Sequence, residues 1–134
     1  MKRDEFLTFG APCIGSEEIE EVLGCLKTGW LGTGPKVRQF ENQFKEYKDS
    51  NYAVALNSCT AALHLSLLAL NIGPGDEVIT TPLTFCATIN SIIHAGATPV
   101  LADVDQTSMN IDPQRIEEKI TEKTGVYQRH IAGE

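Results

Sequence analysis

The sequence has little positive charge to offer. Eleven Lys and Arg stand against 18 Asp and Glu in 134 residues, a formal net charge of −7. Nucleic acids and anionic membranes are bound by clustered Lys and Arg, so neither is expected as a partner. Long apolar runs are lacking as well. A membrane-spanning helix needs roughly 18 apolar residues, and the longest tract here, 61–70, is broken by His64 and Ser66. No apolar segment of a secretory signal follows Met1-Lys2-Arg3-Asp4-Glu5. These absences lead us to expect a soluble, cytoplasmic protein.

Cysteine is sparse and unpatterned. Cys13, Cys25, Cys59 and Cys86 form no CxxC pair and match no zinc-finger spacing. Without a secretory signal, disulfides are not expected, and Cys25 and Cys86 read as small buried apolar residues. His64, His94 and His130 are far apart in sequence and not spaced with carboxylates as metal ligands, so no metal is expected. The phosphate-binding patterns GxxxxGK[ST] and GxGxxG are both missing. Repeats and low-complexity tracts are missing too. With 42% hydrophobic and 22% charged residues, disorder and coiled coil are excluded.

What is present alternates between helix and strand patterns. Ser16, followed by Glu17, Glu18 and Glu20, reads as a helix N-cap with negative charge in the first turn. Ile19, Val22, Leu23 and Leu26 then share one face, and Gly29 is the expected stop. Gly34-Pro35 opens a second helix striped by Val37, Phe40, Phe44 and Tyr47. Tyr52–Leu56 (YAVAL) reads as a strand buried on both faces, and Cys59–Leu70 as a helix apolar all round, hence buried. The turn cluster 73–76 precedes a strand at Glu77–Thr81, a helix at Thr84–Ala95 ended by Gly96, and a strand at Pro99–Ala102. Asp112-Pro113 starts a last helix with Ile116 and Ile120 inward, and Gly125–Ile131 is a final strand that would be a bare edge or be left unpaired. This alternation is that of βαβ units and a parallel sheet.

The corner Asn57-Ser58-Cys59-Thr60-Ala61 is the best candidate for chemistry. A strand there runs into a helix N-terminus, where free amides and the macrodipole favour an anion. Small side chains let a phosphate approach, and Ser58 and Thr60 add hydroxyls. A plain Ser N-cap on a buried helix accounts for the same residues equally well. The next strand ends at Thr81, and loops beyond the carboxyl ends of parallel strands share a crevice. Phe85 then offers either a flat surface to a ligand or a core aromatic. Gly29-Trp30-Leu31-Gly32-Thr33-Gly34-Pro35 holds the only tryptophan on a glycine-rich connection, where it either packs on the outside of the domain or binds something.

Together these residues carry a resemblance. The tracts GAPCIGSEEIEEV (10–22), GWLGTGPKVRQFENQF (29–44), YAVALNSCTAALHLSLLAL (52–70), IGPGDEVITTPLTFCATINSI (72–92), GATPVLADVD (96–105) and MNIDPQRIEEKIT (109–121) resemble the DegT/DnrJ/EryC1/StrS sugar-nucleotide aminotransferases, in the family's order. HIAGE (130–134) resembles the tract that follows in members, although Gln128-Arg129 departs from the usual apolar residues. The resemblance implies an α/β fold. That fold would be the N-terminal part of the fold-type I large domain of pyridoxal 5'-phosphate (PLP) enzymes, a mostly parallel sheet with helices on both faces. Residues 1–134 would be its N-terminal segment plus part of the PLP-binding domain, with the C-terminal remainder absent.

The resemblance also implies an activity: transfer of an amino group from glutamate to a keto-sugar nucleotide, in amino-sugar or surface polysaccharide biosynthesis. The GWLGTGP and TTPLTFCATIN tracts are more similar to C4-aminating than to C3-aminating members. The family's phosphate cradle falls on Ser58, Cys59, Thr60 and Ala61, and its ring-stacking aromatic on Phe85. Many members have Gly where Cys59 stands, so this cysteine is not expected to be catalytic. Trp30, Leu31, Gly32 and Thr33 match the family segment that helps line the sugar-nucleotide pocket, and Phe9 and Ser58 align with substrate-contacting positions in some members. The Schiff-base lysine and the carboxylate facing the pyridinium nitrogen lie beyond the equivalent of Glu134. Asp103 and Asp105 read as structural. The expectation is therefore that residues 1–134 alone are inactive and the full protein is a homodimeric PLP enzyme. A family dehydratase, with His replacing the lysine, is the neighbouring alternative. A non-catalytic remnant that binds phosphate or forms dimers is the alternative outside enzymes.

Overall fold

A computed structural model describes residues 10–127, in two compact units divided between Ala55 and Leu56. Phe9 and the end of the expected last strand, 128–131, lie outside the described residues.

The first unit holds α1 (Ser16–Thr28) and α2 (Pro35–Tyr47). The cap of α1 is Gly15, one residue earlier than expected, and Ser16 is already helical. Glu18 explains the shift. Its carboxylate accepts the Gly15 N–H at 2.7 Å, satisfying a donor at the helix start. Gly29 ends α1 in the left-handed region, φ 71°. Pro35 stands in the first turn of α2, where its missing N–H costs nothing. Neither helix buries a residue within the unit. Lys36 and Glu21 form an ion pair between them.

Tyr52–Leu56 is not a strand. No described strand pairs with it, and Tyr52 and Val54 are exposed. The Ala55 amide instead donates to Glu41 Oε1 of α2 at 2.9 Å. An apolar run becomes a strand only when a neighbour supplies the ladder.

The second unit contains α3 (Cys59–Ala69), β1 (Glu77–Thr80), α4 (Cys86–His94), β2 (Thr98–Leu101), α5 (Pro113–Glu117) and β3 (Thr124–Tyr127). Its strands form a parallel sheet in the order β2-β1-β3. β1 is central and alternates between two cores. Val78 packs with Leu67, Ile72, Ile92, Ala95 and Ala97, from α3, α4 and the turns that follow them. Ile79 packs with Ala102, Ile111 and Ile116, on the α5 side. Helices therefore cover both faces, as parallel strands require. The expected edge strand is paired with β1, and Gly125 makes a bulge. Glu77 opposes Thr124 and Val78 opposes Val126, leaving Gly125 between them.

Both long helices of this unit stop in the same way. Asn71 (φ 58°) follows α3, and the Ile72 amide reaches back to Leu67 O at 3.0 Å. Gly96 (φ 85°) follows α4, and the Ala97 amide reaches Ile92 O at 3.1 Å. Each is a Schellman closure that delivers a buried residue to one core. Only Leu67 of α3 is buried, while Leu65 and Leu68 are about half exposed, so the all-round burial expected of this helix is not found. Cys86 is likewise exposed and Cys25 only half-buried, against the expectation that both are core residues. A helix uses the faces its neighbours cover, and here α4 covers one side of α3.

Candidate functional site

The crossover β1–α4–β2 joins two parallel strands, so α4 must run back against β1. Its N-terminus, at Phe85 and Cys86, therefore lies where β1 finishes. The end of α3 feeds the start of β1 through the Gly73–Asp76 turn, in which the Gly73 amide donates to Asp76 Oδ2 at 2.9 Å. With α3 packed along α4, its own N-terminus is carried to the same end of the sheet. The sequence thus builds one edge where two helix starts converge beyond the carboxyl end of a central strand.

At α3 the backbone turns from extended Ser58 (φ −161°, ψ 155°) into the helix. Ser58 Oγ accepts the Ala61 amide at 3.1 Å, so the N-cap is made. The Ala62 amide bonds Ser58 O at 3.2 Å. The amides of Cys59 and Thr60 have no acceptor among the described residues. Ser58, Cys59 and Thr60 are exposed, and Ala61 is half-buried. Two free donors at the positive end of a dipole, with small side chains around them, could receive an anion. Neither α3 nor α4 carries Asp, Glu, Lys or Arg, so no carboxylate of these two helices opposes an anion there. The N-cap is made, and it does not use up the corner: the cap occupies Ala61 and leaves the two preceding amides.

Phe85 caps α4 with extended backbone and is 77% exposed, packed into neither core of the described residues. Beside it lies a run of hydroxyls that sequence reasoning missed. Thr84 and Thr88 share a hydrogen bond at 3.0 Å, Ser91 donates to Thr88 O at 2.9 Å, and the Leu83 amide donates to Thr81 Oγ1 at 3.2 Å. Thr80, Thr81, Thr88 and Ser91 are buried. The spacing 84, 88, 91 within an apolar helix was the available signal. Thr80 Oγ1 has no partner among the described residues.

Trp30, Leu31, Gly32 and Thr33 belong to the first unit. The indole of Trp30 donates from Nε1 to Thr33 O at 3.1 Å, closing the loop on itself. Trp30 lines two clefts of about 510 and 760 Å³, and Leu31 is 72% exposed. Asp103 and Asp105 are engaged locally. Asp103 accepts the Val104 amide, and Asp105 accepts those of Thr107 and Ser108. His64 and His94, far apart in sequence, meet edge to face with centroids 6.0 Å apart. No group of three or more metal-ligating side chains occurs among the described residues. No described helix is long and apolar enough to cross a membrane.

The same tracts decide the family, for its pattern matches residues 12–134. The chain belongs to the DegT/DnrJ/EryC1/StrS aminotransferase family. It is 54% identical to the spore coat polysaccharide biosynthesis protein SpsC of Bacillus subtilis (strain 168), covering 100% of this chain and 35% of that protein. Among solved structures it is similar to an aminotransferase from Psychrobacter cryohalolentis, with 45% identity and a TM-score of 0.79 over 84% of this chain and 29% of that one. A protein of Streptococcus pneumoniae described as a sugar aminotransferase, Spr1654, is 43% identical in its PLP form. There the TM-score is 0.83, over 88% of this chain and 30% of the other. The chain thus spans about a third of its relatives' length. In family terms, α3, β1, α4 and β2 form part of the large PLP-enzyme domain, an α/β fold with a parallel sheet.

Proposed function

We propose that Ser58, Cys59, Thr60 and Ala61 hold the phosphate of PLP and that Phe85 lies against its ring. We assign the full gene product to amino transfer from glutamate to a keto-sugar nucleotide, at C4 rather than C3. Residues 1–134 would supply the N-terminal segment and part of the cofactor domain. Similarity to SpsC and to sugar aminotransferases supports the substrate class. The GWLGTGP and TTPLTFCATIN tracts support C4.

The observation that carries the reading is that the amides of the exposed residues Cys59 and Thr60 have no partner among the described residues. They fit a dianionic phosphate: two directed donors, a helix dipole and a hydroxyl from Thr60. Ser58 keeps the corner extended ahead of these two amides. PLP, when bound, supplies an electron sink that loosens the C–H bond beside the transferred nitrogen. Phe85 would limit the ring's tilt and exclude water from that face. Trp30, Leu31, Gly32 and Thr33, with Phe9, would contact the sugar nucleotide. The lysine that moves the proton and the carboxylate facing the ring nitrogen come, in this proposal, from chain outside residues 1–134. These residues alone would then not turn over. The active form is proposed to be a cytoplasmic homodimer.

Cys59→Pro tests the seat. Proline is tolerated at the first helical position, and Ser58 is already in the extended region that a following proline requires. The variant removes one amide and keeps the helix, whereas Cys59→Ala keeps the amide. A charge-assisted hydrogen bond contributes about 1.5–3 kcal/mol, so Cys59→Pro should bind PLP about ten- to a hundredfold more weakly than Cys59→Ala. Equal affinities in equilibrium dialysis would refute the seat.

A further inference from the structure

We infer that Gly34 is a positioning residue: it vacates the space into which the Trp30 indole folds, and so sets the pose of the 30–33 loop. A Cβ built on Gly34 would fall inside the indole, overlapping Nε1, Cδ1 and Cε2. The backbone there does not itself call for glycine. Gly34 has φ −173°, extended geometry open to any residue. The requirement is therefore room and nothing else. With the ring seated over Gly34, Nε1 reaches Thr33 O at 3.1 Å. The Trp30 amide also approaches Thr28 Oγ1 at 3.5 Å. The loop is tied at both ends through Trp30, by its indole to Thr33 O and by its backbone amide to Thr28 Oγ1, which leaves Leu31 and Gly32 outermost. Gly32 differs from Gly34 in a useful way, since a Cβ there meets nothing within 4 Å.

A side chain at position 34 must push out the indole or move the start of α2, because Gly34 is also the helix N-cap. The indole, at 57% exposure, is the part with somewhere to go. Its expulsion breaks the bond to Thr33 O and frees the loop. This inference rests on the proposal that the loop contacts the sugar nucleotide, and the experiment separates the two.

Trp30 is the only tryptophan of the 134 residues, so its fluorescence reports this loop alone. Gly34→Ala should shift the emission to longer wavelength and raise its quenching by acrylamide, while Gly32→Ala leaves both where they were. In the unaltered chain, the indole N–H should exchange with deuterium more slowly than a free indole, a measurement that needs no variant. In the full gene product, Gly34→Ala should raise KM for the keto-sugar nucleotide about tenfold with kcat and PLP affinity held. An unmoved indole in Gly34→Ala, or exchange at the free rate, overturns the steric lock and leaves the loop's assignment standing. A displaced indole with unchanged KM overturns the assignment to the sugar nucleotide, and with it the positioning role.

Discussion

Ser58 Oγ accepts the Ala61 amide, and the same residue's extended backbone presents the amides of Cys59 and Thr60. Stability and binding are thus separable here. Ser58→Ala loses the cap and should lower stability by about 1 kcal/mol, read in a denaturant titration. Unlike Cys59→Pro, it leaves both free amides in place. Glu18 shows how a carboxylate fixes a helix start. The hydrogen bond from the Gly15 amide, helped by its own amide, holds its pKa below the ordinary glutamate value. The folded value is therefore the lower one. Its contribution is fully present above the unfolded pKa and fades as pH falls through the folded one. Carbon NMR of the Glu18 carboxyl should give a midpoint below that of the unfolded chain. Glu18→Gln, which can still accept the bond, should flatten the pH dependence of α1.

At the scale of elements, placement follows from pairing and stopping. Ile92 and Val78 are fully buried in the core where the Schellman closures of α3 and α4 converge. Ile92→Ala should cost about 2–5 kcal/mol, measured as a lower unfolding midpoint with unchanged slope. Gly125 is held by space. A Cβ there would stand 2.7 Å from Ile72 Cδ1. Gly125→Ala should therefore destabilise by about 1–3 kcal/mol. Ile72→Val deletes that methyl, so the double variant should lose less than the two single changes added together. Simple additivity would show that the bulge, not the contact, demands glycine. Helix stops were readable where glycine marks them, at Gly29 and Gly96. The left-handed Asn71 carries no such mark, since asparagine is also at home in helix and turn and its conformation is fixed by the closure of Ile72 onto Leu67. Tyr52–Leu56 misled because its composition fits a buried strand while its amide goes to Glu41.

For the whole molecule, apolar surface is the unsettled quantity. Ile19, Val22, Leu23 and Leu26 of α1 are exposed, as are Phe40 and Phe44 of α2. In the sheet unit Leu65, Leu68 and Ile93 are also exposed. Stripes of this kind are normally covered by further chain or a partner. The 134-residue chain should therefore self-associate, with a weight-average sedimentation coefficient that rises with concentration. Repulsion from a net charge of −7 should slow this at low salt and less so at high salt. A single concentration-independent monomer would show that each chain covers its own stripes.

The sequence by itself determined the family and the order of α3, β1, α4 and β2. It also set the helix starts at Pro35 and Pro113 and the small-residue corner at 58–61. Those follow from local chemistry: cap preferences, proline and glycine geometry, and apolar period. Tertiary structure alone decided which apolar residues are covered, that Tyr52–Leu56 pairs with no described strand, that His64 meets His94, and that Gly125 leaves room for Ile72. Burial, pairing and room belong to neighbours brought together from distant parts of the chain, and no single stretch of residues carries them.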